Sequence, residues 1–423
     1  MKKILSCLAL TTALVLPSQS DAAGFYLQEQ STSGLGSSFA GEAAMARDAS
    51  IVYFNPAAMT ALDGRQFNSG VQLIVPTGSV TNDGSALAGV GGFALNGNSN
   101  SPYNPTPVPN FHFATPLKGN TDLWFGFSVS FPFGLENEYD SNWFGRYDSI
   151  KNDLKTTNIQ PSLAYKVNDK LSFGGGIDIQ KADVRLTQAV DLGPGNENSF
   201  SSFDGTDYTI GYNLGIFYQP TDRLSLAAHY RSQVRHDLKL TATTINEANV
   251  TVLADNGTQA ELDLPEIATL AAAYDLNEKW KVMGHVMWFG WSSFDSLTAI
   301  SSTGTILQDL QQNYTNTFAF GVGAEYDHSD KWTFRGGVQY DQTPTQDGFR
   351  STRTPDGDRT WLSVGATYSF NPSLSLDMAA TYIDVAEEQV NVSRTQPTTR
   401  VANINATYDQ DIQIISLGLN KKF

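Results

Sequence analysis

A seven-residue phrase occurs five times in the second two-thirds of the chain, and each copy begins with Tyr and ends with Leu or Trp. Its middle residues include Asn, Asp, Ser, Thr and Pro, which favour tight turns through their dihedral preferences and side-chain hydrogen bonds. Each copy is therefore interpreted as a hairpin turn with a large apolar or aromatic residue at both strand ends. A ring of such turns is typical of the periplasmic rim of an outer-membrane β-barrel. The five copies are Tyr165–Leu171, Tyr218–Leu224, Tyr274–Trp280, Tyr326–Trp332 and Tyr368–Leu374.

Residues on both sides of these turns alternate between apolar side chains and small or polar ones. Before the second turn, Ile210, Tyr212 and Leu214 share one face, whereas Gly211 and Asn213 share the other. A period of two is the signature of a β-strand. A soluble β-sandwich would alternate in the same way, but the repeated turns, an export signal and the C-terminus favour a membrane barrel.

The first residues have the organisation of an export signal. A positively charged start is followed by the apolar stretch Ile4–Leu16 and by small residues up to Ala22, which predicts a signal peptide over residues 1–22. Cleavage there makes Ala23 the first residue of the mature chain. The single cysteine, Cys7, lies within the signal, so the mature chain is expected to contain neither a disulfide nor a cysteine-based metal site.

The composition fits a barrel and argues against several other classes of protein. No apolar run after the signal approaches the roughly 20 residues that a membrane-spanning helix requires. Hydrophobic residues make up 40% of the chain and the mean hydropathy is -0.26, as expected when half of each strand faces a polar lumen. A net charge of -16 argues against a nucleic-acid partner, because phosphates require a basic surface. The five histidines show no metal-ligand or nucleophile–base spacing, so we expect neither an enzyme nor a metal ion or other cofactor.

Counting the turns gives fourteen strands. A sixth turn fits at Thr115–Thr121, and six turns join twelve strands; the strand beginning near Gln66 and the C-terminal strand Asp411–Phe423 complete the count. An even number of strands, with both chain ends on the periplasmic turn side, is typical of bacterial barrels. We therefore predict an all-β fold, a fourteen-stranded antiparallel transmembrane β-barrel over residues 65–423. The opposite connections are predicted to be longer, at Thr81–Asn104, Gly193–Thr206, Ile245–Gly257, Ser302–Asn313 and Thr343–Asp358.

The C-terminal residue, Phe423, ends an alternating strand and resembles the signal by which outer-membrane barrels are recognised before insertion. It predicts the barrel-assembly machinery as one partner, with outer-membrane lipid and lipopolysaccharide as the surroundings. A closed barrel has no exposed edge, so a monomer in the outer membrane of a Gram-negative bacterium is expected. The alternative reading of Phe423 is a single interfacial aromatic residue.

Residues 23–64 read neither as a pair of barrel strands nor as a linker. They are rich in small residues, include a mildly helical stretch at Ser38–Asp48, and contain Pro56, which cannot donate a ladder hydrogen bond. Because a fourteen-stranded barrel is wide enough to leave an open lumen, we predict that residues 23–64 form a small hatch that plugs it. The alternative is a loose periplasmic tail.

Nine short motifs follow one another through the predicted mature chain: Ala23–Leu27, Ser33–Gly36, Ala40–Ala43, Asn55–Ala57, Val108–Phe113, Tyr230–Ser232, Trp332–Arg335, Tyr340–Pro344 and Pro355–Ser363. Together they resemble the FadL family of outer-membrane transporters of long-chain fatty acids and other hydrophobic compounds. The resemblance implies a fourteen-stranded barrel, a hatch, and binding of long-chain fatty acids or similar molecules. It also implies capture at the outer face, rearrangement of the hatch, and lateral exit through a gap at a kinked third strand.

The stretch that matches the kinked strand contains a proline and, two residues later, a glycine. Proline removes a ladder hydrogen bond and glycine permits a sharp bend, so these residues independently predict a lateral opening. A bulge near the outer end of the strand is the alternative. The hatch motif Asn55, Pro56 and Ala57 is expected to lie against this kink. The residues of the predicted opening are Phe131, Pro132, Phe133 and Gly134.

Three residues are candidates for contact with the ligand. Phe25 lies at the start of the hatch, which must move for release. Arg231 and Arg335 are predicted on the lumen side, where guanidinium groups form strong bonds to a carboxylate; pairing with lumen acids such as Glu325 or Asp377 is the alternative. The family's own carboxylate-binding cations have no secure counterpart in this chain. Uptake of aromatic or aliphatic hydrocarbons is therefore an alternative function, and a general diffusion porin is the alternative from a different class.

Overall fold

The computed structural model of the protein describes residues 24–99, 101–118 and 120–423. The predicted signal peptide, residues 1–22, and the predicted first mature residue, Ala23, lie outside the described residues. In the described part of the chain, no helix is long and apolar enough to cross a membrane. The helical segments are Thr32–Leu35, Glu42–Ala44, Ile51–Phe54, Pro56–Ala61 and Trp291–Ser293.

Fourteen antiparallel strands form one closed barrel, as predicted. Consecutive strands pair with one another, and the first pairs with the last from Gln66↔Lys422 to Asn82↔Ala406. Closure joins the two ends of the sheet and leaves neither as a free edge. Two short strands, Ala86–Ala88 and Phe93–Ala94, form a hairpin in the first outer loop. The barrel strands are β1 (Gln66–Asn82), β2 (Thr106–Leu117), β3 (Asn120–Ser130 and Gly134–Glu138), β4 (Lys151–Asn168), β5 (Leu171–Val190), β6 (Ser199–Thr221), β7 (Leu224–Arg231 and Val234–Ile245), β8 (Thr251–Leu264 and Ile267–Asp275), β9 (Trp280–Phe289 and Ser296–Ile300), β10 (Ile306–Gln311 and Thr317–Ser329), β11 (Trp332–Asp341), β12 (Arg359–Asn371), β13 (Leu374–Thr395) and β14 (Val401–Lys422).

The repeated turn phrase forms the tight connections at one end of the barrel, as predicted. In the first copy, the Asn168 side-chain oxygen accepts hydrogen bonds from the backbone N–H groups of Lys170 and Leu171 at 2.9 and 3.1 Å. Asn277 caps the third copy in the same way, at 2.9 and 3.0 Å. These local bonds explain how the phrase ends one strand and starts the next.

The barrel wall is apolar on its outer face and polar on its inner face. On β6, Ile210 and Leu214 are 70% and 56% exposed, whereas Asn213 between them is fully buried. Inside, the Asn213 side chain donates a hydrogen bond to Asp178 at 2.9 Å. Large apolar side chains project outward all round the barrel, as expected of a lipid-facing surface. The predicted alternation is thus confirmed.

β3 is interrupted in a way that opens the wall. The part of β3 nearer the short turns, Asn120–Ser130, pairs with both β2 and β4. The part nearer the outer loops, Gly134–Glu138, pairs only with β4 among the described strands. The outermost β2–β3 pair is Phe111↔Val129. The outer parts of β2 and β3 therefore adjoin without a hydrogen-bonded ladder. The interruption covers residues 131–133, the position where the sequence predicts a kink.

Three outer connections are shorter than predicted because their strands continue further. β6 begins at Ser199, inside the predicted loop Gly193–Thr206, β8 begins at Thr251, inside Ile245–Gly257, and β10 begins at Ile306, inside Ser302–Asn313. At these outer ends apolar and polar residues do not alternate strictly, so the pattern that identifies a strand is lost before the strand itself ends.

An outer connection between β3 and β4, residues 139–150, carries aromatic side chains that the sequence analysis overlooked. Trp143 and Tyr147 are fully buried, and Trp143 stacks on Tyr139 with ring centroids 3.9 Å apart. They belong to a cluster that includes Leu87 of the first outer loop and residues of β13 and β14. Apolar packing therefore ties several outer connections together.

Residues 24–64 lie inside the barrel and bond to strands on different sides of it. Thr32 bonds to β14 at 2.7 Å, and Ser38 donates to β12 at 2.8 Å. Arg47 donates to β10 at 2.8 Å, and Asn55 donates to β6 at 3.1 Å. We call residues 24–64 the N-terminal segment.

The predicted helical stretch within this segment is wrong. Ser38, Phe39 and Gly41 have φ values of 50°, 55° and 66°, which belong to the left-handed region and cannot continue a right-handed helix. Within Ser38–Asp48 only the single turn Glu42–Ala44 is helical. The tight turns let the segment fold back on itself inside the lumen.

Candidate functional site

The start of the N-terminal segment completes the broken part of β3. The backbone N–H of Leu27 donates to the Pro132 carbonyl at 2.8 Å, and that of Gly134 donates to the Phe25 carbonyl at 3.0 Å. Buried backbone groups need such partners, and the break deprives them of the neighbouring strand. The segment therefore acts as a short surrogate strand at the interruption.

The Gln30 side chain bonds to the backbone at Phe131, the first residue of the same break. The Gln30 side chain donates to the Phe131 carbonyl at 3.0 Å and accepts from the Phe131 N–H at 3.0 Å. This two-way bond is the pattern that a neighbouring strand would provide. If the start of the segment moves away, these backbone groups of β3 lose their partners together.

Phe25 is the centre of an aromatic cluster beside the break. Its ring lies 6.1 Å from Phe133, 4.9 Å from Trp291 and 5.4 Å from Phe294, each in an edge-to-face arrangement. Such pairs contribute roughly 0.5–1.5 kcal/mol each beyond the burial of their area. Phe25 is 4% exposed, so the cluster holds the start of the segment against the wall.

A cavity of about 400 Å³ lies at the break, and it is lined by β1, β2, β3, β4, β14, the loop between β11 and β12, and the start of the N-terminal segment. We call it the side cavity. Its lining is mostly apolar and includes Pro107, Phe131, Phe133, Leu135, Leu154 and Ile412. A long hydrocarbon chain gains about 0.8 kcal/mol for each methylene that it buries in such surroundings.

The loop between β11 and β12 clamps the first described residue of the segment. The Gly24 N–H donates to Asp356 at 2.8 Å, and the Gly24 carbonyl accepts from Arg359 at 2.9 Å. Asp356 and Arg359 also form an ion pair at 2.7 Å. The sequence analysis did not assign this role, although both residues belong to the motif Pro355–Ser363 on which the family resemblance partly rests.

Arg231 faces the lumen as predicted, and a carboxylate already holds it. Its guanidinium is ion-paired with Asp178 and donates to the Tyr53 carbonyl and the Gln160 side chain, both at 3.0 Å. It borders a small cavity of about 20 Å³, which shares only Tyr26 with the lining of the side cavity. Its contacts join the N-terminal segment to β4, β5 and β7.

Arg335 also faces the lumen and also has acidic partners. It pairs with Glu325 at 3.3 Å and Asp377 at 3.5 Å, the acids that the sequence analysis weighed as alternatives to a ligand. It borders a polar cavity of about 700 Å³ at the turn end of the barrel, which we call the turn-end cavity. Arg231 and Arg335 therefore lie at different sites, and neither lines the side cavity.

The motif Asn55, Pro56 and Ala57 does not lie against the break, contrary to expectation. Asn55 donates to the Ile216 carbonyl of β6 at 3.1 Å, and its side-chain oxygen accepts from the Ala57 N–H at 3.1 Å. A Cβ added to Gly215 of β6 would lie 2.0 Å from that oxygen. The motif fits into the space left by the missing side chains of Gly174 on β5 and Gly215 on β6. It therefore anchors the segment at another part of the barrel.

Glu29 provides a pH-dependent contribution to stability. Burial raises the pKa of Glu29 from 4.5 to about 7, so the folded protein holds this proton more tightly than the unfolded chain. The contribution is complete below the unfolded pKa and is lost as the pH rises through about 7. In the wild type, this loss should lower the urea concentration at the midpoint of unfolding between about pH 5 and pH 8. We expect the midpoint of Glu29→Gln to fall less over the same range. An identical fall in both proteins would show that Glu29 is not its source.

Comparison with known proteins places this geometry in context. The chain matches the family model described as "Outer membrane protein transport protein (OMPP1/FadL/TodX)" over residues 13–423. It is 31% identical to outer membrane protein P1 of Haemophilus influenzae over 100% of both chains. It is 29% identical to the long-chain fatty acid transport protein of Escherichia coli K12, over 91% of this chain and 93% of the relative.

Solved structures show the same architecture. A Pseudomonas aeruginosa FadL homologue superposes with a TM-score of 0.85 at 26% identity, covering 95% of this chain and 100% of that chain. The Ralstonia pickettii toluene transporter TbuX superposes with a TM-score of 0.65 at 21% identity, covering 89% and 94%. The second likeness is one of fold alone.

Proposed function

Because the chain belongs to the OMPP1/FadL/TodX family of outer-membrane transport proteins, we propose that it carries long-chain fatty acids and releases them sideways through the break in β3. Transport of hydrophobic molecules across the outer membrane, rather than catalysis, is the activity of the family. The observation that carries the proposal is the coincidence of the side cavity with the part of the wall that lacks a ladder.

The physical argument for lateral exit concerns water. A long acyl chain is stabilised in an apolar cavity by roughly 0.8 kcal/mol per methylene, and release into the aqueous periplasm would forfeit that stabilisation. Release through the wall passes the chain from one apolar environment to another. The side cavity borders the β2–β3 gap, whereas the turn-end cavity is lined largely by polar residues.

In this proposal residues 23–64 serve as the hatch, and only their beginning needs to move. Phe25 contacts the ligand because it lines the side cavity and also a smaller apolar cavity further inside. The anchor at Asn55, Pro56 and Ala57 keeps the rest of the hatch on the wall. Displacement of Phe25, Tyr26 and Leu27 would join the two cavities and unmask the break.

Assembly into the membrane is proposed to depend on the C-terminal residue. Phe423 lies at the turn end and is 73% exposed, and its N–H donates to the Arg65 carbonyl at 3.0 Å. An exposed terminal aromatic is available to the barrel-assembly machinery. We propose that the inserted protein is a monomer surrounded by outer-membrane lipid and lipopolysaccharide.

Uptake of hydrocarbons is the second candidate function. It is favoured by the acidic partners of Arg231 and Arg335, which occupy the two arginines that a fatty-acid carboxylate was expected to meet. A general diffusion porin is the third candidate and comes from a different class. It is disfavoured by the N-terminal segment, which bonds across the lumen.

Uptake by whole cells separates the three candidates. A strain that lacks its own fatty-acid transporter should take up labelled oleate much faster when it expresses this protein than when it carries the empty vector. Liposomes containing the purified protein should not swell in isotonic arabinose. Rapid swelling would indicate a porin, and uptake of toluene without uptake of oleate would indicate a hydrocarbon channel.

A further inference from the structure

A second apolar cavity lies inside the barrel, next to the side cavity. Its volume is about 50 Å³, and we call it the inner cavity. Phe25, Leu135, Leu154 and Thr354 line both cavities and so stand between them. The other apolar residues of the inner cavity are Val184, Leu186, Leu238, Leu262, Phe294, Leu297 and Leu310.

The inner cavity ends at polar side chains, one of which carries a buried charge. Asn152, Gln312 and Arg353 complete its lining. Arg353 belongs to the loop between β11 and β12 and is 5% exposed. Its two terminal nitrogens donate to the side-chain oxygens of Asn152 and Gln188. Its Nε–H is a buried donor that has no partner among the described residues.

Arg353 also differs from the other buried arginines in its charge balance. Of the buried arginines in the described part of the chain, Arg146 and Arg353 form no ion pair. Arg146 lies over the Tyr147 ring at 5.0 Å and donates to Asn198 at 2.7 Å. It lines neither the side cavity nor the inner cavity. Among the buried arginines of the described residues, only Arg353 lacks an ion pair, has an N–H group without a partner and lines an apolar cavity.

Asp148, the carboxylate whose negative charge stabilises the charged form of Arg353, is already paired with another arginine. Asp148 pairs with Arg394 at 2.6 Å and accepts hydrogen bonds from the Thr352 N–H and hydroxyl at 2.8 and 2.6 Å. Asp148, Arg353 and Arg394 together carry one surplus positive charge, and an uncompensated buried charge is strongly destabilising. Burial lowers the pKa of Arg353 to about 10, so the guanidinium is still charged at neutral pH.

We propose that Arg353 recognises the acidic headgroup of the transported ligand, whose acyl chain runs past Phe25 and Leu154 into the side cavity. The inference rests on the proposed function and names fatty acids, rather than hydrocarbons, as its substrate class. A carboxylate in the inner cavity would take up the free Nε–H and balance the surplus charge. One water needs roughly 10–15 Å³ of such space, so about 50 Å³ admits a carboxylate and its first methylenes.

The test compares ligands of one chain length that differ in the headgroup. Binding of oleate, methyl oleate and oleyl alcohol is measured on the purified full-length protein and on Arg353→Met and Arg353→Lys. The wild type should bind oleate at least about tenfold more tightly than methyl oleate, because an ester carries no charge to pair with the guanidinium and makes weaker hydrogen bonds than a carboxylate. Arg353→Met should remove that preference and leave oleyl alcohol binding unchanged. Arg353→Lys, which keeps the charge, should retain part of the preference.

Arg146→Met is the matched control, because it removes a buried loop arginine that lines neither cavity. It should keep the wild-type preference for oleate. Equal binding of oleate and methyl oleate by the wild type overturns the inference without any variant, even if Arg353→Met fails to assemble. Equal losses for oleate and oleyl alcohol in Arg353→Met would assign it a structural role and also overturn the inference. Wild-type cells that take up no oleate would instead overturn the proposed function.

Discussion

A disulfide between cysteines introduced at Tyr26 and Phe133 should stop oleate uptake, and reduction of the disulfide should restore it. These residues form an isolated antiparallel bridge. The flanking bonds run from Leu27 N–H to Pro132 O and from Gly134 N–H to Phe25 O, so the bridge is a non-hydrogen-bonded pair. In such pairs the Cα atoms are about 4.5 Å apart, within the range of roughly 4.4–6.8 Å that disulfides span. The disulfide would fix the start of the N-terminal segment on the break.

The oxidised and reduced forms of the double variant have the same sequence, so each controls for the loss of the two aromatic rings. The predicted mature chain has no other cysteine, which leaves one possible intramolecular bond. The single variants Tyr26→Cys and Phe133→Cys, treated with the same oxidant, control for oxidation itself. Full uptake by the oxidised double variant would mean that the start of the N-terminal segment does not have to leave the wall.

Loss of Asp178 should produce the largest change in stability. Asp178→Leu leaves the Arg231 guanidinium buried without its carboxylate, and also removes the acceptor for Asn158 and Asn213 at 2.8 and 2.9 Å. Breaking a buried pair from one side typically lowers the free energy of unfolding by about 3–5 kcal/mol. The double variant with Arg231→Met removes both charges and should lose less than the single variant. Urea unfolding of the four proteins of this cycle measures the difference.

An exposed ion pair on β7 and β8 gives the matched control. Arg235 and Asp263 lie 2.8 Å apart, and their side chains are 58% and 15% exposed, so the pair reaches the surface through its arginine. Because solvent screens such a pair, Asp263→Leu should change the free energy of unfolding by less than about 1 kcal/mol. If Asp178→Leu is no more destabilising than Asp263→Leu, the interior pair does not hold the N-terminal segment to the wall in the way the contacts indicate.

The features of the fold that depend on neighbours in the chain could be predicted from the sequence. The turn phrases place the ends of strands through local bonds such as those of Asn168 and Asn277. Alternation assigns Ile210 to the outside and Asn213 to the inside, because a strand has a period of two. Pro132 marks the interruption of β3 because proline cannot donate to a ladder. The fourteen-strand count follows from these signals.

Features that depend on position around the barrel could not be predicted in this way. Alternation says that Arg231 faces inward but not that Asp178, on another strand, meets it there. The sequence analysis expects Asn55 at the break, but Asn55 packs against Gly215 of β6. The space beside Gly215 forms only when β5, β6 and the N-terminal segment pack together. The same holds for the surplus charge at Arg353, which arises from three segments that are distant in sequence.

The most direct test of the central claim is to map where a photoreactive fatty acid labels the protein during transport. Oleate analogues with a diazirine along the chain are activated in cells that express the protein, and the labelled peptides are identified by mass spectrometry. Lateral exit predicts labels on the side cavity, at Pro107, Phe133, Leu154 and Ile412. Labels that instead cluster in the turn-end cavity, around Lys331 and Asn371, would show a path straight through the barrel and would contradict the account.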